Sequence, residues 1–143
     1  MDIRQITPSY AVSPQIDPED LPAIKAAGFT RIINNRPDAE IPPSHQADAM
    51  QAAALAAGLD YVINPVIGGS ITMANVTAQA EAIAGATGPV LAYCASGNRS
   101  SIVWALSQAG TRPTDEIVAL PARYGYQMEM WRDQIDALAS QQA

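Results

Sequence analysis

Residues 89–93 (PVLAY) form an unbroken apolar run that ends on the only cysteine of the chain, and this junction constrains the fold more than any other feature. A run that is apolar at every position reads as a strand buried on both faces, which requires covering layers on either side of a sheet. A loop with a central glycine follows, Cys94-Ala95-Ser96-Gly97-Asn98-Arg99, and then a helical stretch over residues 100–108. Strand, glycine loop and helix in succession make the unit of an α/β sheet, and ligands bind such sheets beyond the carboxyl ends of the strands.

The rest of the chain repeats the alternation. Strands are expected at residues 3–6, 10–13, 30–34 (TRIIN) and 61–66, the last ending or lying at a sheet edge because of Pro65. Helices are expected from the acidic start Asp17-Pro18-Glu19-Asp20 to Ala27, from Pro43-Ser44 to Gly58, over 73–86, from a Thr114 cap onward, and over 127–140. Gly68-Gly69-Ser70 reads as a mobile loop, and Pro121 and Gly125 divide the segment they lie in. The fold class is therefore α/β, with a mainly parallel sheet of four or five strands flanked by helices. A chain of 143 residues predicts one domain, 1–143.

Composition removes several function classes. Eight Lys+Arg against fourteen Asp+Glu give a net charge of −6, and no basic run exists, which argues against nucleic acid and against a membrane surface. No stretch is apolar for long enough to cross a bilayer, and the N-terminus lacks the pattern of a signal peptide. One cysteine forbids an intramolecular disulfide and suits a reducing cytoplasm; with a single His it leaves no ligand set for structural zinc. No metal or organic cofactor is expected.

The loop after the apolar strand has the chemistry of an anion site. Its backbone N–H groups, Ala95 to Arg99, form a nest at a helix N-terminus, and Gly97 permits the dihedrals that a nest needs. Arg99 forks two N–H donors onto a tetrahedral oxyanion. The same positive field favours the thiolate of Cys94, the form that acts as a nucleophile. Ser100 is placed to donate a hydroxyl hydrogen bond to the Cys94 sulfur. The alternative role for Cys94 is a small buried hydrophobe.

This segment resembles the active-site loops of the cysteine-dependent phosphatase and rhodanese superfamilies. Over residues 1–138 the chain resembles the bacterial phosphatase-like domain that is fused to, or encoded beside, beta-lactamase-like hydrolases of sulfide metabolism. Asn34-Asn35-Arg36-Pro37-Asp38, Gly58-Leu59-Asp60-Tyr61, Asn64-Pro65-Val66 and the Cys94 loop carry the likeness. It implies a fold like that of the dual-specificity tyrosine phosphatases, and an activity described in that family both as phosphatase and as sulfur transferase. Three departures bear on the choice. Four residues separate Cys94 from Arg99, where the phosphatase signature has five. Residues 66–70 (VIGGS) hold no carboxylate where phosphatases carry a general acid. Tyr93 stands where their His precedes the Cys.

These departures make sulfur transfer the leading expectation. Cys94 attacks a small sulfur-containing anion or persulfide, carries the sulfur as a persulfide, and passes it to a thiol or cyanide, with Arg99 and Ser100 assisting. A partner hydrolase is a further expected associate. The alternative is a cysteine-dependent phosphomonoesterase, in which case Asp38 and Glu40 are the first acids to consider. A second alternative is a non-catalytic anion- or persulfide-sensing module. Arg36 either faces the same rim as a substrate-binding residue or makes a structural salt bridge with Asp38 or Glu40. His45 reads as a solvated surface residue, and Trp104 and Leu106 as core. Tyr124, Tyr126, Met128, Met130 and Trp131 read as core, with a pocket wall or a dimer patch as the alternative. Asp133 and Asp136 read as the solvated face of the last helix.

Overall fold

The structure is a computed structural model that describes residues 1–141. Its strands are β1 (Arg4–Thr7), β2 (Tyr10–Ser13), β3 (Arg31–Asn34), β4 (Asp60–Ile63) and β5 (Val90–Tyr93), forming one sheet in the order β1-β2-β5-β3-β4. β2, β5, β3 and β4 are parallel; β1 alone is antiparallel, paired to β2. Pro65 falls just past the end of β4, an edge strand, where its missing N–H breaks no ladder.

Central position explains the unbroken apolar reading of β5. Val90 and Ala92 face one layer, made by α3 (Met73–Ala84), α4 (Asn98–Ser107), α5 (Thr114–Ala122) and α6 (Arg132–Gln141). Leu91 and Tyr93 face the other, made by α1 (Leu21–Ala26) and α2 (Ala47–Ala56). The period of two is intact, but both faces are covered, so both must be apolar. Trp104 and Leu106 of α4 are buried as expected.

Several helix ends differ from the sequence reading. The acidic start at Asp17 opens a short 3-10 turn, Pro18–Asp20, before α1 begins. A second turn, Pro43–His45, precedes α2, because Gln46 is extended between them. Thr114 is the first residue of α5 rather than its cap; its hydroxyl donates to Asp136 instead. The last helix is preceded by a 3-10 turn, Glu129–Trp131, and starts at Arg132. None of the described helices is long and apolar enough to cross a membrane.

Beneath the carboxyl edge of the sheet lies a buried polar ring. Asn35 donates to the Asn64 carbonyl (2.9 Å) and to Gln79 Oε1 (2.9 Å), and Asn64 donates to the same Gln79 oxygen (2.9 Å). Gln79 Nε2 donates to Tyr10 Oη (3.0 Å) and to Asn35 Oδ1 (3.2 Å). The Tyr10 hydroxyl then donates to the Ser100 carbonyl (2.8 Å). Burial pushes the Tyr10 phenol far above its ordinary value, so it remains a neutral donor. Gln79 is the hub. Gln79→Leu leaves Asn35, Asn64 and Tyr10 short of partners, and should cost about 3 kcal/mol, since an unsatisfied buried group costs about 1–3 kcal/mol. Urea unfolding should show a lower midpoint with an unchanged slope.

Candidate active site

Cys94 follows β5 directly and is fully buried. Its sulfur accepts a hydrogen bond from the Gly97 N–H at 3.1 Å, so the loop folds around the thiol. Gly97 holds φ +94°, a left-handed value that costs a residue with a Cβ about 1–2 kcal/mol. That dihedral turns the chain into α4, which begins at Asn98, two residues earlier than the sequence reading placed it. Arg99 therefore sits in the first helical turn rather than in a free loop.

Helix geometry leaves donors at this end. The N–H groups of Ala95, Ser96, Arg99 and Ser100 have no hydrogen-bond partner among the described residues. Those of Arg99 and Ser100 lie in the first turn of α4, where helix N–H groups are unpaired by construction and carry the positive field of the helix, and those of Ala95 and Ser96 belong to the loop that leads into it. The Asn98 N–H is already taken by Ser96 Oγ (3.2 Å), which fixes the turn. Ser101 Oγ donates back to the Gly97 carbonyl (2.8 Å).

Arg99 is held from its outer edge. Nη1 and Nη2 donate to the two carboxylate oxygens of Glu40 (2.7 and 2.8 Å), and Nη1 donates also to the Val66 carbonyl (2.8 Å). Arg36 Nε reaches the same carboxylate (3.3 Å), while its Nη1 donates to Gln15 (3.2 Å). Arg36 thus reaches the rim and makes the salt bridge with Glu40 at once. The Arg99 guanidinium, and less strongly Arg36, holds the Glu40 carboxyl below its usual range. Glu40 in turn raises Arg99 above its ordinary value, and the neighbouring Cys94 sulfur adds to that. Glu40 is therefore ionised at neutral pH and serves as a clamp, with no proton to give to a leaving group. Asp38 is also committed, accepting from the Ala47 N–H (2.8 Å) at the start of α2. No carboxylate lies in residues 66–70, and the two acids considered from the sequence are both engaged, Glu40 by the arginines and Asp38 by the start of α2.

One expected contact is replaced. The Ser100 hydroxyl donates to Asn35 Oδ1 (2.9 Å), not to the Cys94 sulfur. Ser100 belongs to the polar ring below the loop, which claims both its hydroxyl and its carbonyl. Tyr93, in the place of a His, turns away from the thiol and meets the Tyr61 hydroxyl at 2.6 Å; burial pushes the Tyr61 phenol up to about 12. His45 lies apart from the loop, paired with Asp17 (2.7 Å).

Contacts not foreseen complete the support. Tyr126 donates to the Ser96 carbonyl (2.7 Å) and accepts from Arg4 Nη1 (2.6 Å), bracing the loop from its outer side. Tyr126 and Met128 are buried, whereas Met130 is 76% exposed and Tyr124 is exposed, so the aromatic and Met-rich stretch is only partly core. Gln79 carries a readable signal: it is a polar residue at three-residue spacing between Val76 and Ala82, on the buried stripe of α3. The bracing by Tyr126 left none, because it joins positions thirty residues apart.

Residues 2–111 match the family model described as the phosphatase-like domain of beta-lactamase hydrolase-like proteins. A beta-lactamase hydrolase-like protein of Xylella fastidiosa is 41% identical over 130 residues, which cover 90% of this chain but 30% of that protein. The chain thus spans about a third of the length of the curated relatives that it matches. The crystal structure of a candidate phosphatase from Neisseria meningitidis superposes with a TM-score of 0.80 at 31% identity, covering 96% of this chain and 99% of that one. The kinase associated phosphatase, crystallised with its catalytic-site cysteine replaced by serine, superposes at 0.71 with 13% identity, covering 92% and 86%; this likeness speaks for the fold alone. The fold is the tyrosine and dual-specificity phosphatase type that the resemblance implied.

Proposed function

The chain belongs to the phosphatase-like domain family of beta-lactamase hydrolase-like proteins, and from that premise we propose that it is a cysteine-dependent phosphatase-like hydrolase acting on monoesters with good leaving groups. The observation that carries this reading is that one short segment, Cys94 to Ser100, gathers the Cys94 sulfur, four backbone N–H groups without a partner among the described residues and a guanidinium locked by Glu40. Such an array is complementary to an oxyanion before any substrate arrives, which is where most electrostatic catalysis originates.

In this reading the Cys94 thiolate attacks phosphorus in line. The P–O bond breaks, the ester oxygen leaves with the electron pair, and a phosphocysteine forms. Water then attacks phosphorus and Cys94 departs as thiolate, releasing phosphate. The N–H groups of Ala95, Ser96, Arg99 and Ser100, with the Arg99 side chain, hold the non-bridging oxygens throughout. No acid protonates the leaving oxygen, and that assistance is worth roughly 10²–10⁴-fold elsewhere. Aryl esters, whose oxides are stable unprotonated, are therefore turned over faster than alkyl esters, by a factor of about that order.

Sulfur transfer, the leading expectation from sequence, receives less support than phosphatase chemistry from the proteins this chain resembles. Two features still favour it as a second reading: the four-residue spacing from Cys94 to Arg99 and the absence of a carboxylate in residues 66–70. There, Cys94 attacks the sulfane sulfur of thiosulfate, the S–S bond breaks and sulfite leaves; cyanide or a thiol then takes the sulfur and frees the thiolate. One preparation assayed for aryl phosphate hydrolysis and for thiosulfate:cyanide transfer separates the readings. The proposal expects measurable aryl phosphate hydrolysis, faster than sulfur transfer. Transfer without hydrolysis contradicts it in favour of the second reading, and neither activity points to a binding module.

A further inference from the structure

A cleft of about 560 Å³ opens where the Cys94 loop passes into α4. Gly68 and Gly69 border it on one side, Met73 and Val76 of α3 on another, and Trp131, Ala137 and Leu138 near the C-terminus on the third. Asn98 and Arg99, the first two residues of α4, line it as well. Arg99 is the one charged residue of the lining, and no carboxylate lines it, in a chain of net charge −6. The Trp131 indole N–H is buried without a partner among the described residues. Met73 leaves 58% of its surface in solvent beside this half-buried indole.

A phosphoryl group needs only the loop and the guanidinium. Pockets of roughly 300–1,000 Å³ with apolar walls and a few polar groups hold drug-sized organic molecules, more than one phenyl ring. The charge pattern selects an anion at the Arg99 end and an apolar body beyond it. The missing general acid independently selects an aromatic alcohol as leaving group. Resting on the phosphatase reading above, we propose that this cleft binds the organic group of the substrate, and that the substrate is a small phosphate ester of an extended aromatic alcohol.

The test compares phenyl phosphate with biphenyl-4-yl phosphate, whose leaving groups are of similar acidity, on the full chain. The inference expects kcat/KM at least tenfold higher for the biphenyl ester, and a fall in that ratio in both Met73→Glu and Ala137→Glu, two exposed helix positions where a carboxylate enters the cleft without disturbing the core. A ratio near one in the wild type, with phenyl phosphate hydrolysed, overturns the inference and leaves the phosphatase reading standing. A phosphotyrosine peptide turned over faster than the biphenyl ester also overturns it. If no ester is hydrolysed, the phosphatase reading has failed and binding alone decides. Biphenyl-4-ylphosphonate should then change the Trp131 fluorescence saturably, at least tenfold more tightly than phenylphosphonate and in competition with inorganic phosphate. Trp104 is buried in the core at 1% exposure and Trp131→Phe abolishes the signal. No fluorescence change, or one indifferent to phosphate, overturns the inference.

Discussion

Gly97→Ala should leave a folded but weakened protein with almost no activity. At φ +94° an added Cβ is strained, and it lands on the Tyr126 hydroxyl. Tyr126 is buried and holds both the Ser96 carbonyl and Arg4, so it yields only by giving up those two hydrogen bonds. Strain of about 1–2 kcal/mol and overpacking of about 1–3 kcal/mol together predict a melting temperature lower by roughly 5–15 °C. Activity should fall further than stability. The Gly97 N–H is the donor to the Cys94 sulfur, and its dihedral sets where the four open N–H groups point. Differential scanning calorimetry and aryl phosphate turnover measure the two effects; a variant with wild-type activity would remove Gly97 from the account. A substitution at Gly28, also left-handed but with open space around its Cβ position and far from the loop in sequence, should cost stability alone.

Cys94→Ser should lose turnover by at least roughly 10³-fold, the scale of removing a nucleophile, with little change in stability. A serine hydroxyl is barely ionised near neutral pH and accepts the same Gly97 N–H, so the loop should keep its shape while the chemistry stops. Inorganic phosphate or sulfate should still bind this variant, and isothermal titration measures that. Equal turnover in wild type and Cys94→Ser would show that the anion site works without its thiol.

How much of this was legible in the sequence depends on the range of the interaction. The apolar run of β5, its cysteine and the glycine loop are local, so strand, loop and helix could be read within about three residues of their true ends. α4 starts two residues before the sequence expectation because Gly97 takes the left-handed position at the helix entrance, drawing Asn98 and Arg99 into the first turn. Proximity in sequence points the Ser100 hydroxyl at the sulfur. The hydroxyl instead finds Asn35, sixty-five residues away, because β3 and β5 are adjacent and parallel and bring their carboxyl ends together. Glu40 was readable as an acid near Arg36 but not as the clamp of Arg99, since fifty-nine residues separate the pair. Its role follows only from the fold, and it reverses the chemical meaning: a carboxylate pinned between two arginines stabilises charge and does not deliver protons.

The central claim is that Cys94 takes the phosphoryl group of its substrate as a phosphocysteine. Rapid quenching of the full chain with an activated aryl phosphate, followed by peptide mapping by mass spectrometry, tests it directly. The account predicts a phosphoryl adduct on the Cys94 peptide that appears with the first turnover, decays as phosphate is released, and is absent in Cys94→Ser. Steady aryl phosphate hydrolysis with no adduct on Cys94, or a Cys94 peptide that gains a sulfur atom from thiosulfate while aryl phosphates are left intact, would contradict it.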